Sequence, residues 1–280
     1  MITIALFGAG GTIGFKTAVK LKDSEYRTLY IEVGKAGTDL LARHGMTVTP
    51  EDEALKEADV AILAVPDNLI GKIAHQIVPK MKSGSMLMAL DAAAAYAGEF
   101  PERRDISFFL THPCHPPVGN DETNPEARKD FFGGIKAKQN IVCCLMSGPE
   151  SHYPLGEKIA RDMFSPVMKA HRVTVDQMAM LEPALAETVA ATCIVMIRDA
   201  MDEAIRRGLP AEIARDFLLG HINVTIGFKF GFIEGDFSEG CKVAIERAKK
   251  RIFQSDWLKV LDKENILAEI NAITEAVSAG

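Results

Sequence analysis

In Phe108-Phe-Leu-Thr-His-Pro-Cys-His-Pro-Pro117 an apolar strand emerges into two imidazoles and a thiol, held by three prolines that restrict the backbone. A neutral imidazole can take the proton of a hydroxyl being oxidised, or ligate a metal ion, so His112 and His115 suit either task. Each could instead hydrogen-bond locally and stiffen the loop. Cys114 is a covalent nucleophile if a neighbouring imidazole activates it, and a small packing residue otherwise.

Two further polar groups stand in apolar helices. Glu182-Pro-Ala-Leu-Ala-Glu187 puts two carboxylates where an unpaired charge would be expensive, which implies a partner: a metal ion, a substrate hydroxyl or a structural Arg. Gly220-His-Ile-Asn223 sets His221 and Asn223 among Leu, Ile and Phe. His221 reads equally as a satisfied core histidine or as part of a site.

The cofactor signal is at the N-terminus. A strand over Ile2 to Phe7 runs into Gly8-Ala-Gly10-Gly11-Thr12-Ile13-Gly14, then into an amphipathic helix and a second strand that ends at Glu32. Glycines let the backbone turn sharply and approach a pyrophosphate, while the helix N-terminus supplies N–H groups and a positive dipole end. A carboxylate at Glu32 accepts from the adenosine ribose and repels a 2′-phosphate, which selects NAD over NADP. The buried run Asp59 to Val65, ending at Pro66, carries its end past the ribose and nicotinamide half of such a cofactor. The loop has one residue more before Gly14 than the plain dinucleotide pattern. Read as Gly8, Gly11 and Gly14, it also matches the loop of semialdehyde dehydrogenases, so a second reaction class stays open.

These residues need a scaffold that brings strand ends together. Strands expected over Ile2–Phe7, Thr28–Val33, Asp59–Val65, Ser85–Leu90, Ile106–Leu110 and Ile141–Met146 alternate with helical patterns, the order of a parallel sheet. The fold class expected is α/β: a Rossmann doubly wound parallel sheet followed by an all-helical C-terminal dimerisation domain. In open parallel sheets ligands bind beyond the carboxyl ends of the strands, where His112 and His115 fall. The boundary is expected at Thr174, giving an NAD-binding domain over residues 1–174 and a helical substrate and dimerisation domain over 175–280. Thr174 and Gln177 form a capping box that opens a helix to about Arg207. That helix is apolar nearly all round, which predicts a buried helix partly covered by a second subunit, hence a homodimer.

Composition excludes other classes. With 280 residues and 48% hydrophobic content the chain can fill two cores, and a formal charge of -6 without a basic run argues against nucleic acid. The most apolar stretch, Met178 to Met201, is broken by Glu182, Pro183, Glu187, Arg198 and Asp199, so no membrane span is expected. The start leads straight into a strand with no room for a leader, and the five cysteines lack paired spacing, so a reducing cytoplasm is expected.

Taken together, the Gly8–Gly14 loop, the Thr-His-Pro-Cys-His-Pro-Pro run, Glu-Pro-Ala-Leu-Ala-Glu and Gly-His-Ile-Asn resemble the D-apionate oxidoisomerase family over essentially the whole chain. The wider group includes 6-phosphogluconate and prephenate dehydrogenases and ketol-acid reductoisomerases. His112-Pro113 also resembles the active-site His-Pro of prephenate dehydrogenases. The resemblance implies NAD-dependent oxidation of a branched sugar acid coupled to migration of its carboxylate. Glu182 and Glu187 do not reproduce the metal-binding carboxylate pattern of ketol-acid reductoisomerases, so a divalent metal here would be ligated differently, through His115 and Glu187. The expected active site thus joins His112 and His115 to Glu187 and His221 across the two domains, with a small hydroxy acid as substrate. The alternatives are a semialdehyde-type dehydrogenase with Cys114 as nucleophile and a redox-sensing protein that holds NAD(H) without turnover.

Overall fold

The computed structural model describes residues 1–275. A seven-stranded sheet is built from β1 (Thr3–Phe7), β2 (Arg27–Ile31), β3 (Val60–Leu63), β4 (Met86–Ala89), β5 (Ser107–Pro113), β6 (Gln139–Ser147) and β7 (Val167–Arg172), in the spatial order β2-β1-β3-β4-β5-β6-β7. β1, β3 and β4 are buried at every residue, as continuous apolar strands under helices on both faces must be. Alternate residues of each strand feed opposite cores. Ala5, Phe7, Ala61, Leu63, Leu87 and Ala89 face one layer, and Ile4, Leu6, Val60, Ile62, Met86 and Met88 the other.

Helices α1 (Thr12–Lys22) and α2 (Lys35–Arg43) cover one face, with Ala18, Leu21 and Leu41 in its core. α3 (Glu51–Glu57), α4 (Asp67–Ile77) and the short α5 (Ala93–Tyr96) cover the other. α6 (Tyr153–Met163) joins the α1 side through Ile159, Ala160 and Met163.

β1 to β5 are parallel, giving the Rossmann sheet expected from the sequence, but β6 runs antiparallel to β5 and β7 runs parallel to β6. The cause is the connection: residues 114–138 contain only a 3-10 turn, Ala127–Lys129, and no crossover helix to return the chain for another parallel strand. β7 was not expected from sequence. It lies at the sheet edge and is half-exposed, so Val-Met-Lys-Ala-His-Arg lacks the apolar run that marks the central strands.

The chain divides into two compact units, Met1–Met180 with the end of the last helix from Leu267, and Leu181–Ile266. Thr174 caps α7 (Val175–Ala179) through a capping box with Gln177, and this first turn belongs to the sheet unit because Met178 is fully buried in its core. The helical run continues as a π-helical segment over Met180–Ala191 with Pro183 inside it, then as α8 (Thr192–Arg206). The second unit holds α8, α9 (Ala211–Lys229) and α10 (Glu239–Ile252), and α11 (Lys263–Glu275) begins in it and ends in the sheet unit.

The long helix, expected from sequence to be buried, is largely uncovered within one chain. Val175–Arg206 is long and apolar enough to cross a membrane by length and composition, yet only 11% of its most apolar window is buried. No residue of α8 is buried, and Ile194, Val195, Phe217 and Leu219 of this unit are all more than half exposed.

Candidate active site

The Gly-rich loop turns where β1 ends. Gly8 adopts φ +72, which L side chains rarely allow, and its N–H donates to the Ile31 carbonyl of β2 at 3.0 Å. Gly11 is the N-cap of α1, with no side-chain cap and no acidic residue in the first turn, so the helix end presents N–H groups and positive potential. Gly14 packs so close that a Cβ there would lie 1.9 Å from the Gly8 carbonyl oxygen, which draws α1 against the strand end. Thr12 and Ile13 occupy the first two helical positions and are exposed.

Glu32 follows β2 directly. Its Oε2 accepts from the Gly10 N–H at 2.8 Å, and its Oε1 from the Gly34 and Val33 N–H groups at 2.7 and 3.0 Å. The carboxylate is therefore oriented by backbone donors and tied to the Gly-rich loop. These residues fit a dinucleotide: an uncapped helix N-terminus for the pyrophosphate and a fixed acceptor beside it for a ribose. Pro66, exposed at the end of β3, is the N-cap of α4.

His112 and His115 emerge at the end of β5, on the same carboxyl edge of the parallel strands as the Gly-rich loop. Their rings meet edge to face with centroids 5.9 Å apart. His112 Nδ1 lies 2.8 Å from the Pro113 carbonyl oxygen, and His115 Nδ1 lies 2.9 Å from that of Phe132. A carbonyl only accepts, so each neutral ring carries its proton on Nδ1 and leaves Nε2 as the basic nitrogen. His115 holds φ 60, rare for a residue with a Cβ, and the strain marks a backbone over-determined by its surroundings.

Two carboxylates not singled out from sequence adjoin His112. Asp91, buried just beyond β4, offers a carboxylate oxygen within 4.8 Å of a His112 ring nitrogen. Asp67 opens α4, and its pKa is pushed up to about 6, first by burial, then by the charge of Asp91, with His112 opposing. The only sequence signal for either was an acid placed directly after a fully buried parallel strand. An imidazole beside two carboxylates can accept a proton and have its positive charge stabilised in place. Carboxylate and imidazole ligand atoms this close could also hold a cation.

Cys114 is exposed at its surface, yet crowding around the sulfur pushes the thiol pKa up. That is the wrong direction for an activated thiolate. All five cysteines are free.

Glu187 and His221 lie in the helical unit, and both are exposed within the chain. The burial cost that argued for a partner to Glu187 is thus absent in a single chain. His221 stacks on Phe217 with ring centroids 4.0 Å apart, and its Nδ1–H donates to the Phe217 carbonyl at 2.7 Å.

Comparison with known proteins now adds to this geometry. Residues 2–117 match the acetohydroxy acid isomeroreductase NADPH-binding domain, and residues 120–274 match the phosphogluconate dehydrogenase (decarboxylating) C-terminal domain. A D-apionate oxidoisomerase of Rhizobium rhizogenes is 52% identical over 275 residues, 98% of this chain and all of that protein. One of Cupriavidus necator is 50% identical over 272 residues, 97% of this chain and 99% of that one. The chain belongs to the D-apionate oxidoisomerase family. A solved structure from Cupriavidus necator, a semialdehyde dehydrogenase NAD-binding protein in complex with calcium and NAD, has TM-score 0.95 and 50% identity. The match covers 98% of this chain and 99% of that one. The Rossmann fold and the NAD cofactor read from sequence thus agree with this similarity.

Proposed function

We propose that this protein is an NAD-dependent oxidoisomerase: it oxidises a secondary hydroxyl of a branched sugar acid and couples the oxidation to a 1,2-shift of a carbon substituent from the neighbouring carbinol carbon to the new ketone carbon. The observation that carries this reading is the pair of imidazoles with fixed Nδ1–H tautomers at the carboxyl edge that also carries the Gly-rich loop. When bound, NAD supplies the acceptor for the hydrogen leaving the alcohol carbon. His112 Nε2 takes the hydroxyl proton, and the charge that develops on its ring is stabilised by Asp91 and Asp67. The Phe132 carbonyl fixes the neighbouring His115 so that it orients the substrate's oxygens.

A divalent cation belongs to the same proposal, supported by calcium in the related structure and by the Asp91 carboxylate present here. Such an ion polarises the ketone that migration requires. A hard cation takes oxygen ligands, which Asp91 supplies. His115 and Glu187 remain the ligands assigned by sequence, and His221 a polar contact for the substrate, both as proposals. Activity lost on chelation and restored by a divalent ion supports the metal. Indifference to the chelator, with His115→Ala and Glu187→Gln unimpaired, removes it.

We also propose a homodimer, because few apolar residues of the helical unit are buried within one chain. The five free thiols suit a reducing compartment such as the cytoplasm. A panel of sugar acids with NAD, followed by absorbance of the reduced cofactor, tests the reaction class. Turnover with a hydroxy acid and none with semialdehydes is expected. The reverse, abolished by Cys114→Ser, would establish the semialdehyde alternative.

A further inference from the structure

Gly37 stands in the first turn of α2, where glycine is among the poorest helix formers. Its backbone needs no special freedom, since it is not among the residues with positive φ. The reason for glycine here is space. A Cβ on Gly37 would lie 2.7 Å from Glu32 Cδ and 2.9 Å from both Cγ and Oε2. On the other side, a Cβ on Gly10 would lie 2.3 Å from Gly37 Cα. The cofactor loop, the Glu32 side chain and the start of α2 therefore meet at backbone contact, with the carboxylate wedged between Gly10 and Gly37.

We infer that Gly37 is a positioning residue for Glu32 and, through it, a determinant of cofactor choice. The inference rests on the reading that Glu32 faces the adenosine ribose. Glu32 can accept from ribose hydroxyls only in the place where Gly10, Val33 and Gly34 hold its oxygens. Of the atoms a methyl at position 37 would meet, the Glu32 side chain is the one able to move. Its displacement removes the acceptor from the Gly10 N–H and the negative charge from the place where a 2′-phosphate would sit.

The test is equilibrium binding of NAD and NADP to the full-length protein by calorimetry, with no turnover needed. Gly37→Ala should weaken NAD about tenfold or more, the scale of a lost hydrogen bond to a charged group, and leave NADP unchanged or tighter. In a Glu32→Ala background the same Gly37→Ala change should have no further effect on either nucleotide. If the wild type binds NADP as tightly as NAD, the ribose reading itself fails. If the wild type prefers NAD and Gly37→Ala keeps that preference, Gly37 has no positioning role. Should Gly37→Ala fail to fold, the double variant decides, because removing the Glu32 side chain makes room for the methyl. A folded double variant that binds like Glu32→Ala supports the inference, and an unfolded one overturns it by placing the requirement in the backbone.

Discussion

His112 and His115 were legible as a pair because an apolar strand opening into two imidazoles between prolines has few structural uses. What the sequence could not supply was their surroundings. Asp67 and Asp91 carry no motif, and their relation to His112 exists only because β3, β4 and β5 are adjacent in the sheet. Removing the base should cost turnover and spare binding: His112→Ala should lower kcat by ~100-fold or more, with the NAD dissociation constant by calorimetry nearly unchanged. Near-normal turnover would eliminate His112 as the base. Asp67 gives a pH test. Its carboxyl is raised to about 6, so the folded protein holds this proton more tightly than the unfolded chain does. The group therefore favours folding below the ordinary carboxylate range near ~4, and that contribution is lost as pH rises through about 6. Asp67→Asn mimics the protonated form. In chelator-treated protein the Tm of the variant minus that of the wild type should grow as pH rises from about 4 to about 7. A difference independent of pH would show that Asp67 is not perturbed.

At the scale of elements, the central strands were readable because burial on both faces demands continuous apolar runs, and the boundaries of β1, β3 and β4 lie within the expected segments. Direction was not readable at β6. Pro116, Pro117, Gly119, Pro125, Gly133 and Gly134 argue against a crossover helix in residues 114–138, but breakers alone do not set the direction of the strand that follows. β7 escaped because an edge strand needs no apolar face. The Thr174 capping box was read correctly, whereas the π-helical stretch around Pro183 was not, since a proline in an apolar helix predicts a break as readily as a widened turn. The tightest junction is the one between β1 and α1. Gly14→Ala should destabilise the protein by roughly 1–3 kcal/mol, the cost of overpacking, because its Cβ would meet the Gly8 backbone rather than a movable side chain. Chemical denaturation would measure this, with Gly240→Ala, where a Cβ meets nothing within 4 Å, as a control near neutrality. Equal effects at the two positions would contradict the close approach.

For the whole molecule, the helical unit poses the main physical question, because Ile194, Val195, Ile213, Phe217 and Leu219 leave more than half of their surface uncovered in a single chain. Large apolar side chains left exposed together on a water-facing protein mark an interface. The sequence showed this as apolar residues on every side of the long helix, but not where Glu187 and His221 stand, since exposure depends on what covers the helix. Light scattering at micromolar concentration should return about twice the 30.5 kDa chain mass. A value near one chain would remove the dimer and leave the apolar faces without an account. The central claim, oxidation coupled to skeletal rearrangement at the imidazole-bearing sheet edge, is tested most directly with a branched sugar acid, D-apionate, labelled uniformly with 13C. The protein is incubated with this substrate and NAD while absorbance of the reduced cofactor and the product's NMR spectrum are recorded together. Reduced cofactor should accumulate in step with a product whose carbon–carbon couplings show one hydroxymethyl carbon attached to a different neighbour. Formation of reduced cofactor with the carbon connectivity of the substrate retained, or no reduction at all, would contradict the account.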